Sequence, residues 1–313
     1  MTHRGAISTL MSWHFGLRVL DVMGLGPVPY VDKNNQPYQP CQLVSVPFFH
    51  VSGTHGGLLL ALWSGTKLVI MKKWDPPEAV RLIELEKVSR FGGVPTMAAE
   101  ILGEAKKVGA KLESIRLIDT GGAARPADQA REMAESIPNV LTGTSYGMTE
   151  TNALGIAIRG KEYLENPEVT GRLIAPLAEM RIVDEFDNDV EIGDVGELVL
   201  KSAANMRCYL NKDAETSEVL KDGWLYTGDL AKIDKNELIT LVDRKKNIII
   251  RGGENISAQE VQTVILEHPD VIEAAIFALP NERLGEIVGA CVFCGETSNL
   301  SLIHISEPTR RYE

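Results

Sequence analysis

The sequence predicts an α/β fold, with a large domain built on a parallel α/β sheet plus a small antiparallel β unit, followed by a smaller α+β domain. Strand-like and helix-like patterns alternate between residues 42 and 142, which is typical of a parallel sheet with crossover helices. Short strand patterns separated by turns such as Asp222-Gly223 follow and indicate an antiparallel unit. A length of 313 residues favours one large domain plus a smaller one.

The first half of the chain predicts alternating elements. Apolar residues recur at helical spacing up to Val22, and Asp75 followed by two prolines is typical of a helix N-cap and first turn. A loop from Pro47 to Gly53 opens a glycine-rich helix. In chain order we expect helices over 1–22, 53–62, 75–88, 96–108 and 126–135, and strands over 42–46, 67–71, 91–95, 115–118 and 140–142.

The second half of the chain predicts shorter strands. The segment Ser257-Ala258-Gln259-Glu260 has the pattern of a capping box, in which the serine and glutamate side chains satisfy free backbone amides at a helix start. It predicts a helix as far as Leu266. We expect strands over 180–183, 196–200, 238–242, 271–279 and 287–294.

Composition and charge narrow the classes of partner and compartment. A formal charge of -11 argues against a general polyanion-binding surface, so we expect no nucleic-acid partner. The four cysteines are too few for a disulfide scaffold and indicate a reducing compartment; Cys291 and Cys294, on one predicted strand, are expected to pack in the core. Without a run of about 18 apolar residues, we expect no integral membrane segment and a cytoplasmic protein, with peripheral membrane contact left open.

The segment Gly143 to Glu150 combines residue types that suit a nucleotide and a metal. Tyr146 could cover a base, and Gly147 would let the backbone approach it. Thr149 could donate a hydrogen bond to a phosphate oxygen, while Glu150 supplies the hard oxygen ligand that Mg²⁺ prefers. The alternative is a simple turn closed by Thr149 as a helix N-cap.

Three further positions have two interpretations each. His50, beside two phenylalanines, is either a packed or capping group or a residue that gates a ligand. The pair Gly121-Gly122 either accepts the flat edge of a base or forms a tight turn. Asp229 either accepts the two hydroxyls of a ribose or is a turn aspartate.

Four segments in one order carry a resemblance to a known family: Phe48 to His50, Tyr146 to Glu150, Tyr226 to Asp229, and Asp243 to Asn255. Together they resemble the adenylate-forming superfamily of acyl-CoA synthetases, non-ribosomal adenylation domains and beetle luciferases. The chain looks closest to the AMP-forming fatty acyl-CoA ligases and their aryl relatives. The resemblance covers about residues 1 to 296.

The resemblance implies an AMP-forming acid–thiol ligase that uses ATP, Mg²⁺ and coenzyme A. A carboxylic acid would attack the α-phosphate of ATP to give an acyl adenylate, and the thiol of coenzyme A would then take the acyl group. We favour a medium-chain or long-chain fatty acid, with aryl or cinnamate-like acids second. The small residues Gly92, Gly93, Gly143 and Thr144 would leave room for an extended chain, although close strand packing explains them equally well.

The resemblance also implies roles for individual residues, as catalytic, cofactor-binding or hinge positions. By position, Thr149 contacts phosphate, Glu150 binds Mg²⁺, Tyr146 and Gly147 with Gly121-Gly122-Ala123 hold adenine, Asp229 and Arg244 hold the ribose, Asp243 is the hinge, Gly252-Gly253-Glu254 face the thioester-forming site, and His50 lines the acyl pocket.

Departures from the family pattern predict an internal fragment. A partial AMP-binding domain is expected over 1–242, a truncated mobile domain over 243–296, and a foreign tail resembling translated adapter DNA over 297–313. The family's phosphate-binding loop and C-terminal lysine have no counterpart here, so we expect this chain to adenylate poorly. Two alternatives stay open: an adenylation domain that loads a carrier protein, and a nucleotide-binding protein without catalysis. Oligomeric state is not predicted.

Overall fold

The computed structural model describes residues 1–122, 127–174 and 176–294. By its internal contacts the chain divides into two compact units. Unit 1 comprises Met1–Arg181, Val199–Tyr226 and Ile233–Thr240; unit 2 comprises Ile182–Leu198, Thr227–Lys232 and Leu241–Glu313. The domain boundary expected after residue 242 stays a prediction.

Unit 1 is built on a seven-stranded mixed sheet, in the order β2-β1-β3-β4-β5-β6-β7. Strands β1 to β5 are parallel, as predicted, and β6 and β7 are antiparallel to their neighbours. The strands are β1 (Cys41–Val44), β2 (Lys67–Ile70), β3 (Arg90–Gly93), β4 (Leu117–Gly121), β5 (Leu141–Tyr146), β6 (Ile156–Arg159) and β7 (Arg172–Leu173).

The helices of unit 1 follow the predicted order as far as residue 136, and the two later helices, at 160–165 and 213–219, were not predicted. They are α1 (His3–Val22), a π-helix (Ser52–Leu59) continued by α2 (Leu60–Ser64), α3 (Pro76–Glu86), α4 (Pro95–Val108), α5 (Ala127–Ser136), α6 (Gly160–Glu165) and α7 (Asp213–Val219).

Helix α3 begins and ends by local rules. Two prolines occupy its first turn, and Lys87 ends it in the left-handed conformation with φ of 55°. Asp75 takes the predicted N-cap position, but its side chain makes no capping hydrogen bond. Its buried positions, Ala79, Val80 and Ile83, follow helical spacing and face the core.

The main core of unit 1 lies between the parallel strands and helices α3 and α4. Leu43, Ile83, Phe91 and Ile115 are each at most 2% exposed, and burying such a side chain contributes about 1.5–3 kcal/mol. Trp74 packs beside Phe91, with ring centroids 5.9 Å apart. This core fixes the parallel strands whose carboxyl ends carry the polar residues of interest.

Helix α1 buries a face of mixed polarity and leaves part of its apolar surface uncovered. Gly5, Thr9, Leu10 and Ser12 are buried, while Met11 and Phe15 are each 51% exposed. Its N-terminus is capped by Thr2, whose hydroxyl accepts a hydrogen bond from the Gly5 N–H at 3.1 Å. The helical period is therefore confirmed, whereas the period alone did not indicate the covered side.

A second sheet has five strands in the order β10-β11-β9-β8, with β12 pairing β11. At the Asp222-Gly223 turn both residues have positive φ, 49° and 83°, and β10 and β11 pair antiparallel across it as predicted. Strands β9 and β11 contribute residues to both units. The strands are β8 (Ala178–Val183), β9 (Gly196–Ser202), β10 (Leu220–Lys221), β11 (Trp224–Ile233) and β12 (Ile239–Arg244).

The last part of unit 2 is a four-stranded antiparallel sheet, ordered β14-β13-β16-β15, with one helix. Ser257 caps that helix as predicted, because its hydroxyl accepts a hydrogen bond from the Glu260 N–H at 3.1 Å. The elements are β13 (Ile248–Arg251), β14 (Glu254–Ser257), α8 (Ala258–Leu266), β15 (Val271–Asn281) and β16 (Gly285–Cys294).

The expected core packing of the two late cysteines is wrong. Cys291 is exposed and Cys294 is only partly buried. Both lie on β16, where Cys291 pairs with the exposed Ala275 on β15, so no described element covers that position of the hairpin.

In the described part of the chain, none of the helices is both long and apolar enough for a transmembrane span.

Candidate functional site

The carboxyl ends of β4 and β5 meet closely in unit 1. A Cβ on Gly121 would lie 2.8 Å from the Ser145 carbonyl oxygen, so the close approach of the two strands requires glycine there. Gly122 follows with φ of 79°, a left-handed conformation that glycine adopts without strain. Ala123 lies outside the described residues. Strand packing and a turn thus account for Gly121 and Gly122, and their contact with adenine stays a prediction.

Strand β5 extends further than predicted, because it runs through Tyr146. Gly147 is the first residue beyond the strand, and a Cβ there would lie 2.4 Å from the Ala153 carbonyl oxygen. Thr149 begins a short 3₁₀-helix, Thr149–Thr151, whose N-cap position is occupied by Met148. The interpretation of Thr149 as an N-cap is therefore wrong, and its side chain is exposed.

Glu150 is held at two points by one later segment. The Tyr209 hydroxyl donates a hydrogen bond to Oε1 of Glu150 at 2.8 Å, and the Met206 N–H donates to the Glu150 carbonyl oxygen at 2.6 Å. Within the described chain, Oε2 of Glu150 accepts no hydrogen bond. Burial, together with the hydrogen bond to Glu150 and its charge, raises the pKa of Tyr209 to about 12, so this hydroxyl stays protonated and donates.

Asn152 is tied to the same segment. Its Nδ2 donates to the Ala204 carbonyl oxygen at 2.6 Å, and its Oδ1 lies 3.0 Å from Nε2 of His55. Because Oδ1 can only accept, Nε2 of His55 carries the proton. Burial lowers the pKa of His55, and hydrogen bonds to Asn152 and the Val51 backbone partly oppose that shift. We call residues 204–209 the strap, since they hold the turn 149–152 by three hydrogen bonds.

His50 occupies an exposed position in the loop before the π-helix. Its ring lies 4.7 Å from that of Phe49, and its backbone N–H donates to the Pro47 carbonyl oxygen at 3.0 Å. His50 thus packs beside Phe49 at an exposed position, and its role at an acyl pocket stays a prediction. The buried histidine of this region is His55, at 5% exposure.

In unit 2, Asp229 lies within β11 at 5% exposure. It is therefore not a turn aspartate. Its Oδ1 lies 3.0 Å from Nε of Arg244, whose side chain is 66% exposed. The backbone N–H of Asp229 donates to Thr227 Oγ1 at 3.1 Å, and that hydroxyl donates to the Leu198 carbonyl oxygen at 2.7 Å. The structure thus brings together the two residues predicted to hold a ribose, with the carboxylate fixed and the guanidinium facing solvent.

A second carboxylate supports the same strand. Oε1 of Glu197 accepts a hydrogen bond from the Gly228 N–H at 3.0 Å, and Oε2 pairs with Nζ of Lys245 at 2.9 Å. Gly228 has φ of 73°, which is strained for other residues. Glu197 and Lys245 were not predicted as site residues. Lys245 lies within the segment Asp243 to Asn255 but had no role assigned, and nothing in the sequence distinguishes Glu197 from a surface charge.

Asp243 connects the end of β12 to the start of α8. Its Oδ1 accepts from the Arg244 N–H at 2.6 Å; its Oδ2 accepts from the Ser257 hydroxyl at 2.6 Å and from the Gln259 N–H at 3.0 Å. A carboxylate at a helix N-terminus is favourable for the helix dipole. The predicted hinge residue is thus tied by its side chain, and its role in rotation stays a prediction.

The predicted thioester-site segment forms the turn between β13 and β14. Gly252 and Gly253 have φ of 62° and 89°, so both take left-handed conformations that glycine tolerates. The Gly252 N–H donates to the Leu284 carbonyl oxygen at 2.7 Å, and Glu254 begins β14 opposite Arg251. Tight turn geometry accounts for the two glycines, and a contact with the thiol stays a prediction.

A family model described as AMP-binding enzyme matches residues 1–210, about two thirds of the chain. The chain belongs to the AMP-binding enzyme family. It is 32% identical over 262 residues to 4-coumarate–CoA ligase-like 6 of Arabidopsis thaliana, covering 83% of this chain and 46% of that protein. It is 30% identical to the long-chain-fatty-acid–CoA ligase of Bacillus subtilis, covering 79% and 44%. This AMP-binding enzyme chain therefore spans about half the length of the curated relatives it matches.

Solved structures of similar fold include two acyl-CoA synthetases. The o-succinylbenzoate CoA synthetase of Bacillus subtilis, in complex with its acyl-adenylate intermediate, superposes with a TM-score of 0.82 at 25% identity, covering 97% of this chain and 57% of that one. The fatty acyl CoA synthetase of Mycobacterium tuberculosis gives 0.71 at 26%, covering 97% and 56%. The predicted superfamily and the α/β fold are thereby confirmed for this AMP-binding enzyme.

A magnesium ion fits Glu150 of this AMP-binding enzyme only as part of a metal–nucleotide complex. The described residues contain no group of three or more His, Cys, Asp or Glu side chains arranged to hold a metal. Mg²⁺ is commonly bound by one or two carboxylates plus the phosphates of a substrate. A single carboxylate with one uncommitted oxygen fits that mode, and the expected Mg²⁺ ligand is chemically reasonable.

Proposed function

We propose that the protein containing this chain activates a carboxylic acid as an acyl adenylate with ATP, and then transfers the acyl group to coenzyme A. In the first step a carboxylate oxygen bonds to the α-phosphorus of ATP and pyrophosphate leaves. In the second step the sulfur of coenzyme A bonds to the acyl carbon and AMP leaves. The observation that carries the proposal is the turn after β5, where Thr149 and Glu150 present a hydroxyl and a free carboxylate oxygen in an AMP-binding enzyme chain.

The turn after β5 would bind the phosphates. Thr149, which is exposed, donates its hydroxyl to an oxygen of the α-phosphate region, and Glu150 holds Mg²⁺ through Oε2. The ion, when bound with ATP, neutralises phosphate charge and so eases attack by a carboxylate. Tyr146 and Gly147, with the segment 121–123, would hold the adenine.

In unit 2, a fixed carboxylate would bind the ribose. Asp229 has two oxygens and is positioned by Arg244 and by its own backbone hydrogen bond to Thr227. Carboxylates accept hydrogen bonds from both ribose hydroxyls in other nucleotide folds. Asp243 would serve as the hinge, and the segment 252–254 would face the thioester-forming site.

Two classes of carboxylic acid are candidates for the substrate. Two of the four small residues that favoured a medium-chain or long-chain fatty acid have packing explanations: Asp119 and Arg159, paired at 2.8 Å, lie against Gly143, and a Cβ on Gly93 would lie 3.1 Å from the Phe91 ring. Relatives are named for coumarate, indoleacetate and ferulate as well as for long-chain fatty acids. Aryl acids are therefore a second candidate class, with His50 at the pocket in either case.

A binding experiment on this chain tests the nucleotide site directly. AMP should raise the melting temperature, because a ligand that binds only the folded state stabilises it by mass action. Asp229→Ala should abolish that shift through loss of the ribose contact. Asp194→Ala, which changes an exposed aspartate outside the site, is the matched control and should keep the shift.

The outcomes separate the candidate functions. A shift that is equal in the wild type and in Asp229→Ala would contradict the assignment of the ribose site. The longest available form of the protein is also assayed for pyrophosphate and acyl adenylate with a panel of fatty and aryl acids. If a nucleotide raises its melting temperature but neither product forms, the result would favour nucleotide binding without catalysis. An acyl adenylate that coenzyme A does not consume would favour a carrier protein as acceptor.

A further inference from the structure

Among the described side chains, the Tyr209 hydroxyl is the only group that donates a hydrogen bond to the Glu150 carboxylate. It lies 2.8 Å from Oε1, while Oε2 stays without a hydrogen bond from the described chain. The two oxygens of one carboxylate thus have different environments. One is bonded to the protein, and the other is available to a ligand.

The strap fixes Tyr209 itself. The Tyr209 N–H donates to Oγ1 of Thr216 on α7 at 3.0 Å, and that hydroxyl donates to the Lys212 carbonyl oxygen at 2.7 Å. Upstream, the Met206 N–H bonds the Glu150 carbonyl oxygen at 2.6 Å. Backbone and side chain of Glu150 are therefore both held by a segment that is anchored on each side.

We propose that Tyr209 is a positioning residue, which orients the Glu150 carboxylate so that Oε2 faces the metal of a bound Mg²⁺–nucleotide. The inference rests on the proposed function. A hydrogen bond to one oxygen of a carboxylate restricts its orientation, so the bond from Tyr209 to Oε1 favours the orientation that leaves Oε2 available to the metal. Groups that orient metal ligands in this way typically change metal affinity by about 10-fold to 100-fold when removed.

The test separates metal-dependent from metal-independent nucleotide binding. The dissociation constant of ATP is measured by calorimetry on this chain, first without Mg²⁺ and then with saturating Mg²⁺. The constant without the ion divided by the constant with it gives the metal's contribution. Tyr209→Phe removes only the hydroxyl. It should leave metal-free ATP and AMP binding unchanged and lower the ratio by about tenfold, or to one if the wild-type ratio is smaller than that.

Matched variants keep the result specific. Tyr38→Phe removes a tyrosine hydroxyl from an exposed position that is distant in sequence from Glu150 and the strap. It should keep the wild-type ratio. Glu150→Gln removes the proposed metal ligand and should bring the ratio to one. Thermal unfolding of each variant shows that the changes act on a folded protein.

Three outcomes are decisive. A lowered ratio in Tyr209→Phe with unchanged metal-free binding supports the positioning role. An unchanged ratio in Tyr209→Phe, while Glu150→Gln loses it, overturns the role of Tyr209 and leaves the proposed function standing. No binding of ATP or AMP by the wild-type chain, or no effect of Glu150→Gln on the ratio, overturns the metal site of the proposed function and the inference with it.

Discussion

Glu150 and Asn152 stand two residues apart in the same turn, and the strap holds both of them. Asn152 is 0% exposed and uses its amide nitrogen and oxygen on Ala204 and His55. Glu150 is partly exposed and leaves one carboxylate oxygen unused. The two residues therefore have different roles within one four-residue turn. The buried amide of Asn152 fixes the turn, and the partly exposed carboxylate of Glu150 is free to bind a ligand.

The largest expected effect is on the buried member of this pair. Asn152→Ala leaves the Ala204 carbonyl oxygen and His55 Nε2 without their partners, and it places alanine at φ of 53°. We expect the free energy of unfolding to fall by about 2–4 kcal/mol, measured by chemical denaturation.

A second asparagine separates the two causes of that loss. Asn211 also has a positive φ, 54°, but it is exposed. Asn211→Ala should therefore cost only the backbone strain, about 1 kcal/mol. Equal losses in the two variants would mean that the hydrogen bonds of Asn152 contribute nothing to stability.

The pH dependence of stability should reveal His55. Its pKa is lowered in the folded state by burial, so below its ordinary value of 6.5 the unfolded chain binds a proton more readily than the folded chain does. The His55 contribution is thus complete above about pH 6.5 and is lost as the pH falls towards the folded-state pKa.

Variants at two histidines test that sign. Stability is measured by chemical denaturation at pH 7.5 and 5.5, about one unit either side of an ordinary histidine pKa. His55→Gln should lose less stability than the wild type on acidification. His50→Gln, at an exposed position, should behave like the wild type. A steeper acid loss in His55→Gln would contradict the assignment of His55 as the buried, neutral histidine.

The smallest expected effect on stability is at Tyr209, the hydrogen-bond partner of the partly exposed Glu150. Tyr209→Phe removes one hydrogen bond to a partly exposed carboxylate, and we expect a loss of about 1 kcal/mol or less in the free energy of unfolding. Denaturation of Tyr209→Phe beside Asn152→Ala checks the order. A Tyr209→Phe loss as large as that of Asn152→Ala would remove the distinction between the structural and ligand-facing sides of the turn.

Local signals explain why most of the fold could be predicted. The N-terminal prolines of α3, the capping serine at 257 and the Asp222-Gly223 turn each act within a few residues, and the structure has all three. Which face of a helix or strand becomes buried depends on distant parts of the chain. The exposure of Met11 and of Cys291 could therefore not be predicted from local sequence.

Residues of the candidate site could be predicted only where they lie in a recognisable sequence motif. Asp229 and Arg244 were paired through a resemblance, and the structure places them 3.0 Å apart. His55, Asn152 and Tyr209 were missed. Their contacts span 97, 52 and 59 positions along the chain for His55–Asn152, Asn152–Ala204 and Tyr209–Glu150, and no periodic pattern reports pairings of that separation.

These separations also bear on how the chain folds. Closing a loop costs chain entropy before the contact that closes it returns any energy, so contacts between distant residues reward folding only after much of the chain is already organised. The two side-chain bonds between strap and turn close loops of 52 and 59 residues. A partly folded form can therefore have ordered parallel strands while its strap is still detached. Such a form would contain Thr149 and Glu150 yet lack their geometry, and nucleotide binding would report complete folding more sensitively than helix or sheet content does.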